Sequence, residues 1–268
     1  AVIPHLLDDE DVLGIAQTGT GKTASFVLPI LERLVARKGR PPVKACRALI
    51  LTPTRELAAQ IDDEIRRYSR FARISTTVVV GGVKPGPQIR ALARGVDVMV
   101  ATPGRLLDHL STGALTLDAV TTVVLDEADQ MLDLGFLPAI KRIGRLLPKS
   151  RQTVLMSATM PDEIRRLAGE FQTDPVEVAV APVSRPIEQI AQSVIAVGRD
   201  DKRDILARIL SDDAVTRAIV FTRTKHGADK VCRHLNTAGI GASAIHGNKS
   251  QGQRNRALDA FRSGESPI

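Results

Sequence analysis

The chain has 268 residues, 43% of them hydrophobic and 25% charged, and a formal net charge of +7. That length and apolar content can bury a sizeable core and favour two domains over one. No run of roughly 18 apolar residues occurs, so no membrane-spanning helix is expected, and Ala1-Val2-Ile3-Pro4-His5 lacks the basic and apolar regions of a signal peptide.

The basic excess is uneven. Residues 1–180 carry 23 Lys+Arg against 21 Asp+Glu, a net of +2, whereas residues 181–268 carry 14 against 9, a net of +5. Such an excess suits a polyanionic partner, although solubility accounts for part of it. With no Trp, one Tyr and six Phe, stacking of bases on aromatic platforms should not dominate binding, and the phosphate–sugar backbone is the expected handle. Cys46 and Cys232 lack metal-ligand spacing and fit a reducing cytoplasm better than a disulfide framework.

In chain order, the apolar run Val12-Leu13-Gly14-Ile15 reads as a short buried strand, and Ala24 to Leu31 as a packed helix. Between them lies Ala16-Gln17-Thr18-Gly19-Thr20-Gly21-Lys22-Thr23. A glycine-rich turn between strand and helix lets successive N–H groups converge on a phosphate at the helix N-terminus. Lys22 can then reach the β- and γ-phosphates and the Thr23 hydroxyl can bind Mg²⁺. The pattern G-x-x-x-x-G-K-[ST] is met except at its first glycine, here Ala16. Nucleotide binding is the expected function of this stretch.

After a loop at Arg40-Pro41-Pro42, residues 47–51 read as a second strand ending at Thr52-Pro53-Thr54. Leu57, Ile61 and Ile65 mark a helix over 55–71. Thr76 to Val80 is a β-branched strand stopped by Gly81-Gly82. A helix over 87–94, a strand over 96–101 and a turn at Thr102-Pro103-Gly104-Arg105 follow. Strand and helix alternate throughout, which predicts an α/β fold with a parallel sheet covered on both faces.

Thr121 to Leu125 is the most strand-like run, and it delivers Asp126-Glu127-Ala128-Asp129 at its C-terminal end, the edge where ligands bind in open α/β sheets. There Asp126 would hold Mg²⁺ and Glu127 would orient or deprotonate an attacking water. Alone, the four residues would read as an acidic helix N-terminus; with Lys22 and Thr23 they read as the second half of an NTPase site. Gln152 to Met156 is another buried strand, followed by Ser157-Ala158-Thr159, whose hydroxyls can bond a neighbouring loop or a ligand, or cap the helix that begins near Pro161.

The helix over 163–171 and the segment 175–180 close a first unit, 1–180. Residues 181–187 read as a linker. In the second unit, 188–268, strands are expected over 190–197, 218–221 and 242–245, and helices over 201–210, 227–235 and 251–261. Ser266-Pro267-Ile268 resembles the entrance to a further strand.

Taken together, Ala16–Thr23, Pro53-Thr54-Arg55-Glu56-Leu57, Gly81-Gly82, Thr102-Pro103-Gly104-Arg105, Asp126-Glu127-Ala128-Asp129 and Ser157-Ala158-Thr159 resemble the DEAD-box RNA helicases, in family order and spacing. The second unit adds residues 219–225 and His246-Gly247-Asn248-Lys249-Ser250-Gln251, and the likeness is strongest to the bacterial RhlE-like branch. The resemblance implies two RecA-like domains that close on ATP and RNA together. It implies that Lys22, Thr23, Asp126 and Glu127 handle ATP and Mg²⁺, and that Ser157 and Thr159, with Asp129, couple hydrolysis to unwinding. Thr54, Arg55, Gly82, Thr102 and Arg105 are implied as RNA contacts of the first domain, and Thr222, Arg223, Gln251 and Arg254 as those of the second. Ribosomal or RNA-decay proteins are candidate partners.

The family's adenine-reading glutamine motif and its arginine-finger motif do not occur in the sequence, so the chain is expected to be a helicase core truncated at both ends. Residues 1–268 alone are then expected to keep the phosphate loop but to show little RNA-stimulated hydrolysis, with a second domain less stable than the first. The expected function is an ATP-dependent RNA helicase acting locally on short duplexes. An ATP-gated RNA clamp and a DNA translocase are the alternatives.

Overall fold

The five inner strands of the first unit are short and buried along their whole length, as a sheet sandwiched between helices requires. A computed structural model describes residues 1–17, 19–37, 39–179, 190–198 and 200–268. The chain divides into two compact units, Ala1–Pro186 and Ile187–Ile268. The residues read above as a linker, 181–187, lie outside the described residues, as does Thr18.

The first unit runs α1 (Val2–Leu7), β1 (Val12–Ile15), α2 (Lys22–Ala36), β2 (Cys46–Leu51), α3 (Arg55–Tyr68), β3 (Thr76–Val79), α4 (Pro85–Leu92), β4 (Val96–Ala101), α5 (Pro103–Ser111), β5 (Thr122–Leu125), α6 (Ala128–Asp133), α7 (Leu137–Leu146), β6 (Gln152–Ser157), α8 (Asp162–Phe171) and β7 (Val176–Ala179). The seven strands form one sheet in the order β3-β4-β2-β5-β6-β1-β7, and every pairing is parallel.

Side chains alternate between two cores. Val12, Ile50, Val124 and Val154 pack with Phe26, Ile30, Ile61 and Ile65 on the face covered by α1–α3. Leu13, Leu49, Leu51, Leu125 and Leu155 pack with Leu106, Met131, Ile140 and Ile164 on the face covered by α4–α8. Because β6 lies between β1 and β5, the ends of β1, β5 and β6 share one rim. There Ile15 pairs with Ser157 and Leu125 with Leu155. The absence of a side chain at Gly14 leaves room for the Met156 thioether, which a Cβ there would meet.

Several expectations change. The helices α1, α6 and α7 fall where no element was expected, and α5 begins within the stretch read as a turn, its proline at a position that needs no N–H. In the second unit the helices α9 (Lys202–Leu210), α10 (Lys225–Thr237) and α11 (Gln251–Ser263) form. Strands over 190–197, 218–221 and 242–245 do not form among the described residues. A β-rich sequence needs a partner ladder to become a strand, and here the inter-segment bonds are few. Ala218 N donates to Pro267 O (3.1 Å), Ser243 N to Ile268 O (2.9 Å) and Ile268 N to Gly241 O (3.3 Å). Residues 218–222 and 242–245, Ile268 and the inner faces of α10 and α11 line an apolar cavity of about 340 Å³.

Candidate active site

The turn after β1 is built from backbone that only glycine adopts without strain. Gly19 and Gly21 have φ of +88° and +83°, and Gly21 is the residue before α2. Thr20 Oγ1 donates to Gln17 O at 2.8 Å and Ala16 N to Ser157 O at 3.0 Å, so the loop is held to itself and to β6. The N-terminus of α2 therefore opens on a cavity of about 500 Å³, lined by Gly19, Gly21, Lys22, Thr23, Asp126 and Glu127.

Lys22 and Asp126 face each other there, Nζ to Oδ1 at 3.3 Å, with their side chains only 7% and 1% exposed. Lys22 Nζ is buried and Asp126 is its ion-pair partner, so the ammonium can turn to an anion entering the cavity. Burial pushes the Asp126 carboxyl up, with Lys22 opposing the shift. Burial likewise raises Glu127, and the neighbouring Asp126 charge adds to it. Glu127 stands in the left-handed region at φ +53°, ψ 52°. A non-glycine residue held there is strained, and such strain gathers at functional sites. Asp126 Oδ1 holds the strained unit by accepting from Glu127 N at 3.0 Å.

Two hydroxyls close this rim, and they differ. Thr159 donates to Asp129 Oδ2 through both its amide (2.9 Å) and its Oγ1 (2.8 Å). Ser157 Oγ is fully buried and has no partner. Divalent-ion chemistry fits the donor set: Thr23 and Asp126 offer oxygen ligands, and Mg²⁺ takes one or two such groups plus substrate phosphates. No cluster of three or more His, Cys, Asp or Glu suited to a metal ion occurs among the described residues.

A second group of predicted residues converges on the loop after β3. The Arg55 guanidinium packs on Gly82, where a Cβ would collide with it and where φ is +72°. Arg105 donates to Val83 O at 3.1 Å. Gln88 Nε2 donates to Val80 O (2.9 Å) and its Oε1 meets His109 (3.0 Å), bracing the same loop from behind. Thr54 caps α3, accepting from Leu57 N at 3.2 Å, and Thr102 is nearly buried at the start of α5. Thus Arg55, Gly82 and Arg105 form one patch, while the Thr54 oxygen already accepts a backbone bond.

In the second unit, Thr222 Oγ1 donates to Thr224 O and Thr224 Oγ1 accepts from Gly227 N. Thr52 and Thr54 make the same pair of bonds before α3. Arg223 is exposed between the two threonines. Arg254 Nη1 donates to Gln251 Oε1 at 3.4 Å in the first turn of α11, and Ser250 and Gln253 form a reciprocal cap. Sequence reading missed the brace under this loop. Asp229 on α10 pairs with His246 (3.1 Å) and Lys249 (3.0 Å), and Lys225 Nζ reaches Asn248 at 3.2 Å. Those two partners hold the Asp229 carboxyl below its ordinary range. The one available signal was the spacing of Lys225 and Asp229, which stacks both on one helix face.

Residues 1–167 match the DEAD/DEAH box helicase family, and residues 201–268 match the helicase conserved C-terminal domain. The chain belongs to the DEAD/DEAH box helicase family. It is 43% identical over 271 residues to the ATP-dependent RNA helicase DBP2 of Chaetomium thermophilum, covering 99% of this chain and 49% of that protein. The Neurospora crassa protein of the same name is 44% identical, with 99% and 48% covered. The chain thus spans about half the length of the curated relatives it matches. The crystal structure of a DEAD box protein from the hyperthermophile Methanococcus jannaschii superposes with a TM-score of 0.62 at 36% identity, covering all of this chain and 70% of that one. The fold of this DEAD/DEAH box member is accordingly the RecA-like helicase fold. The expected placement in the bacterial RhlE-like branch is not supported, since these curated relatives are fungal DBP2 proteins.

Proposed function

We propose that the protein is an ATP-dependent RNA helicase, an RNA-stimulated ATPase that locally separates or remodels short duplexes. The observation that carries the proposal is the meeting of Lys22, Asp126 and Glu127 at one rim, with Asp129 bonded to Thr159 beside them. Residues 1–180 serve as the ATP-binding RecA-like domain and residues 188–268 as a second RecA-like domain, acting in the cytoplasm.

In this reading, backbone N–H groups from Ala16 to Thr23 bind the phosphates of ATP, and Lys22 shifts from Asp126 to the β- and γ-phosphate oxygens. Mg²⁺, held by Thr23 and Asp126, supplies positive charge to those oxygens when bound. Glu127 orients the attacking water and accepts its proton, a task suited to a carboxylate whose proton affinity burial has raised. The Asp129–Thr159 contact links this rim to the segment after β6. Arg55, the Gly82 backbone and Arg105 grip the sugar–phosphate backbone of one strand, as do Arg223, Gln251 and Arg254 on the second domain, Thr54, Thr102 and Thr222 adding hydroxyl contacts. The scarcity of aromatics supports reading RNA through its backbone and 2′-hydroxyls.

Strand displacement of blunt and tailed RNA and DNA duplexes, with ATP and Mg²⁺, tests the proposal. ATP-dependent separation of short RNA duplexes is the expected result. RNA binding without separation would leave only a clamp, and equal action on DNA would make the protein a general translocase.

A further inference from the structure

The end of α3 and the turn after it put four arginines and two aromatic residues into eight positions, 66–73. Ser69 anchors this turn. It is buried, and both its hydroxyl (2.7 Å) and its amide (2.9 Å) donate to Ile65 O, while Ala72 N closes the turn on Ser69 O at 2.8 Å. With Ser69 turned inward, Phe71 is driven out to 90% exposure and Tyr68 to 45%. A phenyl ring in water gains nothing for the fold, since its transfer free energy is forgone. Among the described residues the exposed large aromatics are Tyr68, Phe71 and Phe221, so two of three stand here.

The charges match the rings. The Arg70 guanidinium lies 4.5 Å from the centroid of the Phe71 ring. Arg66 is paired with Asp62 at 2.8 Å, whereas no ion pair of Arg67, Arg70 or Arg73 occurs among the described residues. Asp63 and Glu64 sit one turn earlier on α3 and line the phosphate-loop cavity together with Arg67 and Tyr68. A polyanion is therefore repelled from climbing the helix and steered across its end. Arg67 and Tyr68 border the phosphate-loop cavity, but the patch is separate from the RNA contacts expected at Thr54 and Arg55: these stand at the other end of α3, which has 14 residues and spans about 21 Å.

We propose that residues 66–73 form a second contact for single-stranded RNA, one base stacking on Phe71 while Arg67, Arg70 and Arg73 hold flanking phosphates. Cationic residues interleaved with aromatic rings are what a single strand without sequence preference requires. An acidic protein segment would satisfy the arginines but would leave the exposed rings unexplained. The contact rests on RNA being the substrate, and it gives long strands an affinity that short ones lack.

The experiment measures binding of a short and a long oligouridylate by fluorescence anisotropy across a salt series. Wild type is compared with a triple variant, R67A/R70A/R73A, with its charge-keeping counterpart R67K/R70K/R73K, and with Phe71→Ala. All four positions are exposed, so thermal melts should coincide and report intact folding. The expected result is unchanged binding of the short strand in every variant. For the long strand, the alanine triple should lose about 2 from the log–log salt slope, three phosphates at roughly 0.7 each. Phe71→Ala should weaken it about fivefold or more, and the lysine triple should keep the wild-type slope. Long-strand binding that ignores both the alanine triple and Phe71→Ala would overturn the proposal, as would equal losses on the short strand. Polyglutamate bound more tightly than oligouridylate, and released by the alanine triple, would assign the patch to an acidic protein instead. Failure of the wild type to bind the short strand would count against the helicase reading, while the long-strand comparison would still judge the patch.

Discussion

Asp129 accepts two hydrogen bonds from Thr159, one from the amide at 2.9 Å and one from the hydroxyl at 2.8 Å, and so ties the first turn of α6 to the segment after β6. Both bonds end on the same carboxylate oxygen, Oδ2, so charge rather than shape supports the pair. Hydrogen bonds to a charged group are the stronger kind, about 1.5–3 kcal/mol, and partial exposure puts these at the low end. Asp129→Asn and Thr159→Val should each lower RNA unwinding more than basal ATP hydrolysis. The double variant should be no worse than the more damaging single one, with a coupling of roughly 1 kcal/mol. Strand displacement and ATPase measured side by side check this, and strictly additive losses would show that the two residues act separately.

Lys22 and Glu127 should separate binding from chemistry. Lys22→Ala removes the buried cation that faces Asp126, so ATP binding and turnover should both fall. Glu127→Gln keeps the side-chain volume and leaves Asp126 in place, so nucleotide binding should persist while turnover drops about 10²- to 10⁴-fold, the range for a positioned base. Nucleotide titration together with steady-state hydrolysis decides it. Wild-type turnover in Glu127→Gln would remove this residue from the chemistry.

The same carboxylates give a pH signature to the ligand-free fold. Asp126 and Glu127 are both raised, burial being the main cause. The folded state then binds more protons than the unfolded chain between the ordinary carboxylate range, near pH 4, and the raised values. Their contribution to stability is fully present below the unfolded pKa and is lost as pH rises through the folded one. Glu127→Gln should therefore be more stable than wild type near neutral pH, and the advantage should shrink on acidification. Thermal midpoints of both proteins over a pH series test the sign. An advantage that grows toward acid would reverse the assignment.

Arg105 is anchored to Val83 O beside Gly82, which aims it at the patch shared with Arg55. Arg105→Ala should weaken RNA binding almost independently of base sequence and lower the log–log salt slope by about 0.7, one phosphate on a single strand. Binding to homopolymeric RNAs of different base across a salt series checks it. A loss confined to one base would make Arg105 a base reader.

In the second unit, Asp229 holds His246 and Lys249 under the loop that leads to Gln251 and Arg254. Asp229→Asn should raise the RNA concentration needed for half-maximal ATPase stimulation while leaving the unstimulated rate unchanged. Faster amide exchange over residues 246–250 should accompany it. An unstimulated rate that falls with the RNA response would instead point to general unfolding of the unit.

Much of this was local enough to read from the chain. A phosphate loop is specified by glycines whose positive φ no other residue adopts cheaply; Gly21 stands where the pattern requires it, and Gly19 adds a second such position. Apolar runs buried on both faces announced the parallel sheet, because every β2 residue from Cys46 to Leu51 is buried. The pairing of Lys22 with Asp126 was implied by two motifs ending strands of one sheet, but the strand order that sets those ends on either side of β6 is a tertiary fact. Tertiary contact also decided what no spacing contains: the Arg55 guanidinium over Gly82, the Arg105 anchor on Val83, the strain at Glu127 and the exposure of Phe71. Each depends on groups distant in sequence or on how one turn is buried, where local propensity has no influence. The second unit makes the same point from the other side. Residues 218–221 and 242–245 carry a strand-like pattern, yet a strand exists only where a neighbouring backbone completes its hydrogen bonds, and that is decided by the fold rather than by the segment.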